Sequence, residues 1–223
     1  WIYLPPDHDT SYRSYPVIYM HDGQNLFDKE ASFAGEWGVD EVLNDLFKKT
    51  GYGFIVVGIE NVGNERMNEY SPWKHEKYGG GNGDAYLDAI VKYLKPYIDK
   101  NYKTAFEAKN TAIIGSSMGG LISYYAALKY PDVFGKVGVF SPSFWFSESV
   151  LSYTEEKDQA KKAAIRWSLV GSHSGKGNFG NPSNTPIYVM GISHAEFGPR
   201  GIKNEWVLFD ETIIWKQILM KTG

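Results

Sequence analysis

Seven short apolar runs, rich in β-branched residues, constrain the fold of this chain more than any other feature: PVIYMH (16–21), FIVVGIE (54–60), TAIIGS (111–116), KVGVFS (136–141), IRWSLV (165–170), PIYVM (186–190) and NEWVLF (204–209). Continuous apolarity bounded by turns fits strands buried on both faces, as in a parallel sheet. Helix-period stretches lie between them. The clearest is GDAYLDAIVKYLKPYIDK, in which Leu87, Ile90, Val91, Leu94 and Ile98 form one apolar stripe. Asp84 is its N-cap candidate and Pro96 a predicted bend. Residues 36–48 and 118–130 read the same way. Strand and helix in alternation predict a doubly wound α/β sandwich. In such sheets ligands sit beyond the carboxyl ends of the strands.

Composition narrows the function. With 223 residues and 43% hydrophobic content, the chain reads as one α/β domain over 1–223. It opens at WIYLPP without Met, so its N-terminus reads as trimmed. A net charge of -3 gives no basic footprint for nucleic acid. No run approaches about 18 apolar residues, so no membrane span is expected. The absence of cysteine excludes disulfides, Cys-ligated zinc and a thiol nucleophile. No His-x-x-x-His spacing occurs, and neither metal nor cofactor is expected. Aromatic content of 16% fits an aromatic core or an aromatic-lined cleft.

One junction carries chemistry. The strand run TAIIG leads through SS into the helix pattern MGGLISYYAALKY. Gly115, Ser117 and Gly119 make a Gly-x-Ser-x-Gly pattern there, the context of a nucleophile elbow. In so tight a turn side chains at 115 and 119 would collide, and the serine hydroxyl stands exposed above the sheet end. The amide of Met118, at the helix start, points where an oxyanion would form. Ser116 is expected to face elsewhere. A second oxyanion donor should come from an earlier loop after a strand. His21-Asp22-Gly23 closes such a strand, and the amide of Gln24, or of Asn25, is the candidate. His21 and Asp22 themselves are expected to satisfy loop backbone groups.

These segments together resemble a known family. WIYLPPDHD, YPVIYMHDGQNLFD, GEWGVDEVLNDL, IVVGIEN, NERMNEYSPW and NTAIIGSSMGGLISYYAALKYPDVFGKVGVFSPSFWF occur in the order found in the esterase D-like α/β-hydrolases. That family includes carbohydrate and feruloyl esterases, S-formylglutathione hydrolase and siderophore esterases. The resemblance implies an α/β-hydrolase fold: a mostly parallel central sheet with helices on both faces. It implies a nucleophile at Ser117 and oxyanion donors at Met118 and near Gln24. It also places SPSFW and NERMNEYSPW along the pocket, with Trp145 and Tyr70 as the pocket candidates.

The last quarter departs from the pattern. A serine nucleophile needs a base and an orienting acid, which in this fold follow it in the order acid, then histidine. Only His173 and His194 follow Ser117. The family sets its acid after a strand like IRWSLV, where this chain has GSHSGKGN without an acid. Counting back from Trp215 in VLFDETIIWKQIL puts Asp210 in the family's histidine slot. Three readings stay open: a rewired triad with His194, near Glu196, as base; a binding module that has lost catalysis; or a last quarter whose residues are misassigned. The expected function is a serine carboxylesterase acting on a small-molecule or carbohydrate ester through a Ser117 acyl-enzyme. Acyl transfer to another acceptor is the further alternative, and a homodimer stays open.

Overall fold

Ten strands and seven α-helices make up the computed structural model, which describes residues 1–33, 35–157, 162–174, 181–198, 201–209 and 211–222. The strands are β1 (Ile2–Tyr3), β2 (Val17–His21), β3 (Ile55–Ile59), β4 (Lys74–His75), β5 (Gly79–Gly80), β6 (Thr111–Ser116), β7 (Lys136–Phe140), β8 (Lys162–Ser172), β9 (Pro186–Gly198) and β10 (Gly201–Phe209). The helices are α1 (Val39–Thr50), α2 (Arg66–Glu69), α3 (Gly83–Ala89), α4 (Lys95–Asn101), α5 (Met118–Lys129), α6 (Ser149–Lys157) and α7 (Glu211–Thr222). Eight strands form one sheet in the order β1-β3-β2-β6-β7-β8-β9-β10, and β4 and β5 pair as a separate hairpin. β3, β2, β6, β7 and β8 run parallel, as the buried apolar runs predict. β1, β9 and β10 pair antiparallel at the two edges.

Successive residues of the central strands feed opposite faces. Val17 and Tyr19 of β2, Ile55 and Val57 of β3, and Ile113 of β6 enter a core with Leu87, Ile98, Leu121 and Ile122 from α3, α4 and α5. Met20 and Val56 turn the other way, against Leu26, with Ile18, Ile114 and Val39 and Leu43 of α1 packed alongside. Every residue of α5 from Met118 to Leu128 is buried. That matches its all-round apolar sequence, which marks an interior helix.

Two readings change. The runs at 186–190 and 204–209 continue the sheet, but as an antiparallel meander on β8. Apolar periodicity does not encode strand direction. The short step from Gly198 to Gly201 does, because a parallel return needs a long crossover. The helix over 83–101 is also not capped by Asp84. Asn82 occupies the cap position, and Asp84 accepts hydrogen bonds from Tyr125 and Lys129 instead. The helix widens to a π-turn at Ile90–Leu94, directly before Pro96. Proline offers no amide to the regular ladder, so a local change of helix type at that point is expected.

The carboxyl ends of β2, β3, β6 and β7 lie side by side. They deliver the turn at 22–25, the segment 60–66, Ser117 and the segment 141–146 to one edge of the sheet.

Candidate active site

Ser117 sits between β6 and α5 with φ 57° and ψ -118°. A non-glycine residue in that region is strained, and such strain concentrates where the surrounding structure over-determines it. Here backbone does so. Ser117 N–H donates to Phe140 O at 2.9 Å, and Ser117 O accepts from Leu121 N–H and Ser143 N–H, each at 3.0 Å. A Cβ on Gly115 would lie 2.4 Å from the carbonyl carbon and oxygen of Gly119. A Cβ on Gly119 would meet His21 Cβ at 3.3 Å, Asp22 Oδ2 at 3.4 Å and Tyr70 Cε2 at 3.7 Å. The predicted collision is therefore severe at 115 and mild at 119. Ser117 Oγ lies 3.1 Å from Ser143 Oγ.

The second turn follows β2. Asp22 adopts a left-handed conformation (φ 59°, ψ 46°), and Asn25 N–H donates back to Asp22 O at 2.9 Å. That bond commits the Asn25 amide within the turn. Gln24 lies within the same short helical turn, whose first amides have no partner inside the turn. Asp22 does not serve loop backbone. Its carboxylate accepts two bonds from Arg66, at 2.7 and 2.8 Å, and one from Asn61 at 2.7 Å. Its own N–H donates to the Tyr70 hydroxyl at 3.0 Å. Burial pushes the Asp22 carboxyl upward, but the bonds and charge of Arg66 outweigh this and hold it below the ordinary carboxylate value. The same bonds raise Arg66 against its own desolvation.

His21 packs beneath both turns. It is buried, stacks near Tyr70 and Tyr86, and its Nδ1 shares a 2.8 Å hydrogen bond with the Tyr86 hydroxyl. Burial depresses its pKa to about 4, with Asp22 pulling it up and Arg66 pushing it down. The imidazole is thus neutral at pH 7.

The two turns open onto a cavity of about 760 Å³. Ser117, Ser116, Gln24, Asn61, Arg66 and Trp37 are among the residues that line it. Asn25 holds the outer wall in place. Its carbonyl accepts Trp37 N–H at 2.9 Å, and its side chain accepts Phe33 N–H at 2.9 Å.

Ser117 and Gln24 line one cavity and Met118 follows Ser117 in the chain, whereas the other candidates lie elsewhere. Tyr70 is fully buried behind the cavity wall, where its hydroxyl supports Asp22 rather than lining the space. Trp145 is 65% exposed and belongs to an aromatic group with His75, Tyr78 and Phe146. His173 follows β8, but its Nδ1 bonds Ser183 Oγ at 3.0 Å and it makes no bond to Ser117. His194 lies within β9, opposite Ala164, and Ala164 is level with Gly138 and Ile114. Three inter-strand steps therefore separate it from β6, roughly 14 Å of lateral distance. That register does not bring His194 to Ser117, so the base assignment made from chain order is corrected here. Asp210 lies outside the described residues. Sequence reasoning missed Arg66, Asn61 and Ser143. The first and last lie inside the quoted segments NERMNEYSPW and SPSFW, yet nothing in a linear motif shows what they touch.

A strand, a strained serine and a buried helix, set at the carboxyl edge of a mostly parallel sheet beside a second amide-bearing turn, define an α/β-hydrolase fold. The family model described as Putative esterase matches residues 1–179, and the chain belongs to that family. Bacillus subtilis protein YbbA is 34% identical over 155 residues, which cover 66% of this chain and 58% of YbbA. A xylanase/feruloyl esterase of Xylanibacter ruminicola is 26% identical over 93% of this chain and 26% of its own length. An IroE-like serine hydrolase from Shewanella oneidensis has a similar structure, with a TM-score of 0.56 and 28% identity over 70% of this chain and 50% of that one. The chain thus spans well under two thirds of the length of these relatives.

Proposed function

We propose that this chain is a serine carboxylesterase with Ser117 as nucleophile and the amides of Met118 and Gln24 as its oxyanion donors. The observation that carries this reading is the elbow. Ser117 is held at φ 57° by bonds on both sides, with its residue lining the same cavity as Gln24. Attack by Ser117 Oγ on an ester carbonyl would put negative charge on the carbonyl oxygen. In this proposal the amides of Met118 and Gln24, from two separate turns, donate to that oxygen and stabilise the charge. The alcohol departs, and water then releases the acid from the acyl-serine. The feruloyl esterase among the relatives supports esters of carbohydrates or aromatic acids as the substrate class. The aromatic and amide side chains around the cavity, Trp37 and Asn61 among them, suit such ligands.

The test is covalent labelling with a fluorophosphonate, together with turnover of p-nitrophenyl acetate. The chain should label at Ser117, and Ser117→Ala should lose both labelling and turnover, the latter by about 10⁴-fold or more. Equal labelling of the variant, or none of the parent, rejects the proposal. A second reading, a ligand-binding hydrolase fold, draws support from His173 being bonded to Ser183 instead of Ser117. Binding of an ester without turnover by the parent chain would favour it.

A further inference from the structure

We propose that Ser143 is a second catalytic hydroxyl, which donates a hydrogen bond to Ser117 Oγ while that oxygen exchanges its bonds. The inference rests on Ser117 being the nucleophile.

Three observations carry it. Ser143 is 4% exposed, and its Oγ lies 3.1 Å from Ser117 Oγ. Its position is set by backbone, because Ser143 N–H donates to Ser117 O at 3.0 Å while Ser117 N–H donates to Phe140 O at 2.9 Å. The segment leaving β7 therefore straps the elbow on both sides. Phe146 N–H in turn holds Ser143 O at 3.0 Å. Thirdly, among the described residues Ser117 Oγ is the one partner of the Ser143 hydroxyl.

The last point fixes the direction of the bond. A buried hydroxyl proton without an acceptor is costly, and the acceptor within reach is Ser117 Oγ. Ser117 lines the open cavity and can donate its own proton outward. Ser143 therefore acts as donor and Ser117 as acceptor. In acylation the Ser117 O–H bond breaks, its proton passes to a general base (imidazole or water), and an Oγ–carbon bond forms. The carbon–alkoxy bond then breaks, and the alcohol leaves with that proton. In deacylation water adds to the acyl carbon, the Oγ–carbon bond breaks, and Oγ recovers a proton. Negative charge gathers on Oγ in both halves. A fixed donor strengthens as the charge develops, which is the condition for lowering a barrier instead of merely tightening binding. The proton of Ser143 never leaves it.

The experiment compares second-order rates of fluorophosphonate labelling for the parent chain, Ser143→Ala, Ser143→Cys and Ser143→Thr. Turnover of p-nitrophenyl acetate and a thermal melt accompany each. A hydrogen bond to a charging oxygen predicts that Ser143→Ala slows labelling by about 10- to 100-fold and lowers kcat with little change in KM. Ser143→Cys should be similarly slow, since a thiol is a weak donor in nearly the same volume. Ser143→Thr keeps the hydroxyl and should recover most of the rate. If Ser143→Ala does not fold, the Cys and Thr pair decides. A parent that labels while the Ala or Cys variant labels within twofold of it overturns this inference alone. A parent that fails to label overturns it together with the proposed function.

Discussion

The two turns that face each other across the cavity solve the same problem by different means. Each bends at a non-glycine residue with positive φ, Ser117 at 57° and Asp22 at 59°. Each is followed by the start of a helical turn. The elbow is held by backbone: Phe140 O, Ser143 N–H and the bare α-carbon of Gly115 against Gly119. The turn at 22–25 is held by side chains: Arg66 and Asn61 on the Asp22 carboxylate, and the Tyr70 hydroxyl on its amide. Backbone constraints are uncharged, independent of side-chain identity and indifferent to pH. Side-chain constraints come from far along the sequence, carry charge, and can be removed one at a time.

The backbone-held turn should therefore fail abruptly. Gly115→Ala drives a methyl group into backbone at 2.4 Å, where no side chain can swing aside. We expect it to cost on the order of 10²- to 10³-fold in kcat/KM, because displacing a nucleophile by about 1 Å has that effect. It should also lower stability by about 3 kcal/mol, the upper range for overpacking. Gly119→Ala meets neighbours at 3.3–3.4 Å and should lose about tenfold or less. Steady-state kinetics and melting temperatures of the pair check this. Equal losses at the two positions would contradict the asymmetry of the elbow.

The side-chain-held turn should loosen without collapsing. Arg66→Ala strands the Asp22 carboxylate with Asn61 as its remaining side-chain partner. The side chains of Arg66 and Asp22 are 26% and 14% exposed. Their pairing lies between a surface bridge and a buried one, and its loss should cost about 2 kcal/mol. With Gln24 as the proposed oxyanion donor, loosening its turn should lower kcat about 10- to 100-fold, as losing one such donor does. Stability from this pair should persist at neutral pH. The Asp22 pKa is depressed, so that stability is lost only as pH falls below the ordinary carboxylate value. Acid melts of parent and Arg66→Ala should converge there.

The same contrast explains what the sequence could reveal. Continuous apolarity identified β2, β3 and β6 to β10, and in β2 and β3 burial on both faces explains that signature. Apolarity carries no sign of strand direction, which for β9 and β10 lies in the short step between them. The elbow was legible because its geometry demands particular residues within five positions. Arg66 was not, because its role depends on a contact 44 residues away. The aromatic Trp145 looked like pocket lining, yet burial cannot be read from residue type, and it lies exposed against His75 and Tyr78. His194 satisfied the order in which catalytic groups occur along the chain. Reach is a matter of register, and register places it three strands from the elbow.

His21 offers the finest test, since it lies under both turns and belongs to neither mechanism. Its Nε2 is buried without a hydrogen-bond partner among the described residues, and its Nδ1 is tied to Tyr86. Protonation would place a charge in that dry setting beside Arg66. Because the folded pKa is about 4 against an ordinary 6.5, the unfolded chain binds more protons between those values. The contribution of His21 is therefore complete above pH 6.5 and is lost progressively as pH falls toward 4. At pH 5.5 the loss should be roughly 1 kcal/mol. Urea midpoints of the parent should drop between pH 7.5 and 5.5, and those of His21→Gln should drop less. If the two chains lose stability in parallel, the imidazole is already hydrated in the folded state and the packing beneath the turn at 22–25 is looser than its geometry indicates. If only the parent is sensitive, mild acid reaches the side-chain-held turn before it reaches the elbow.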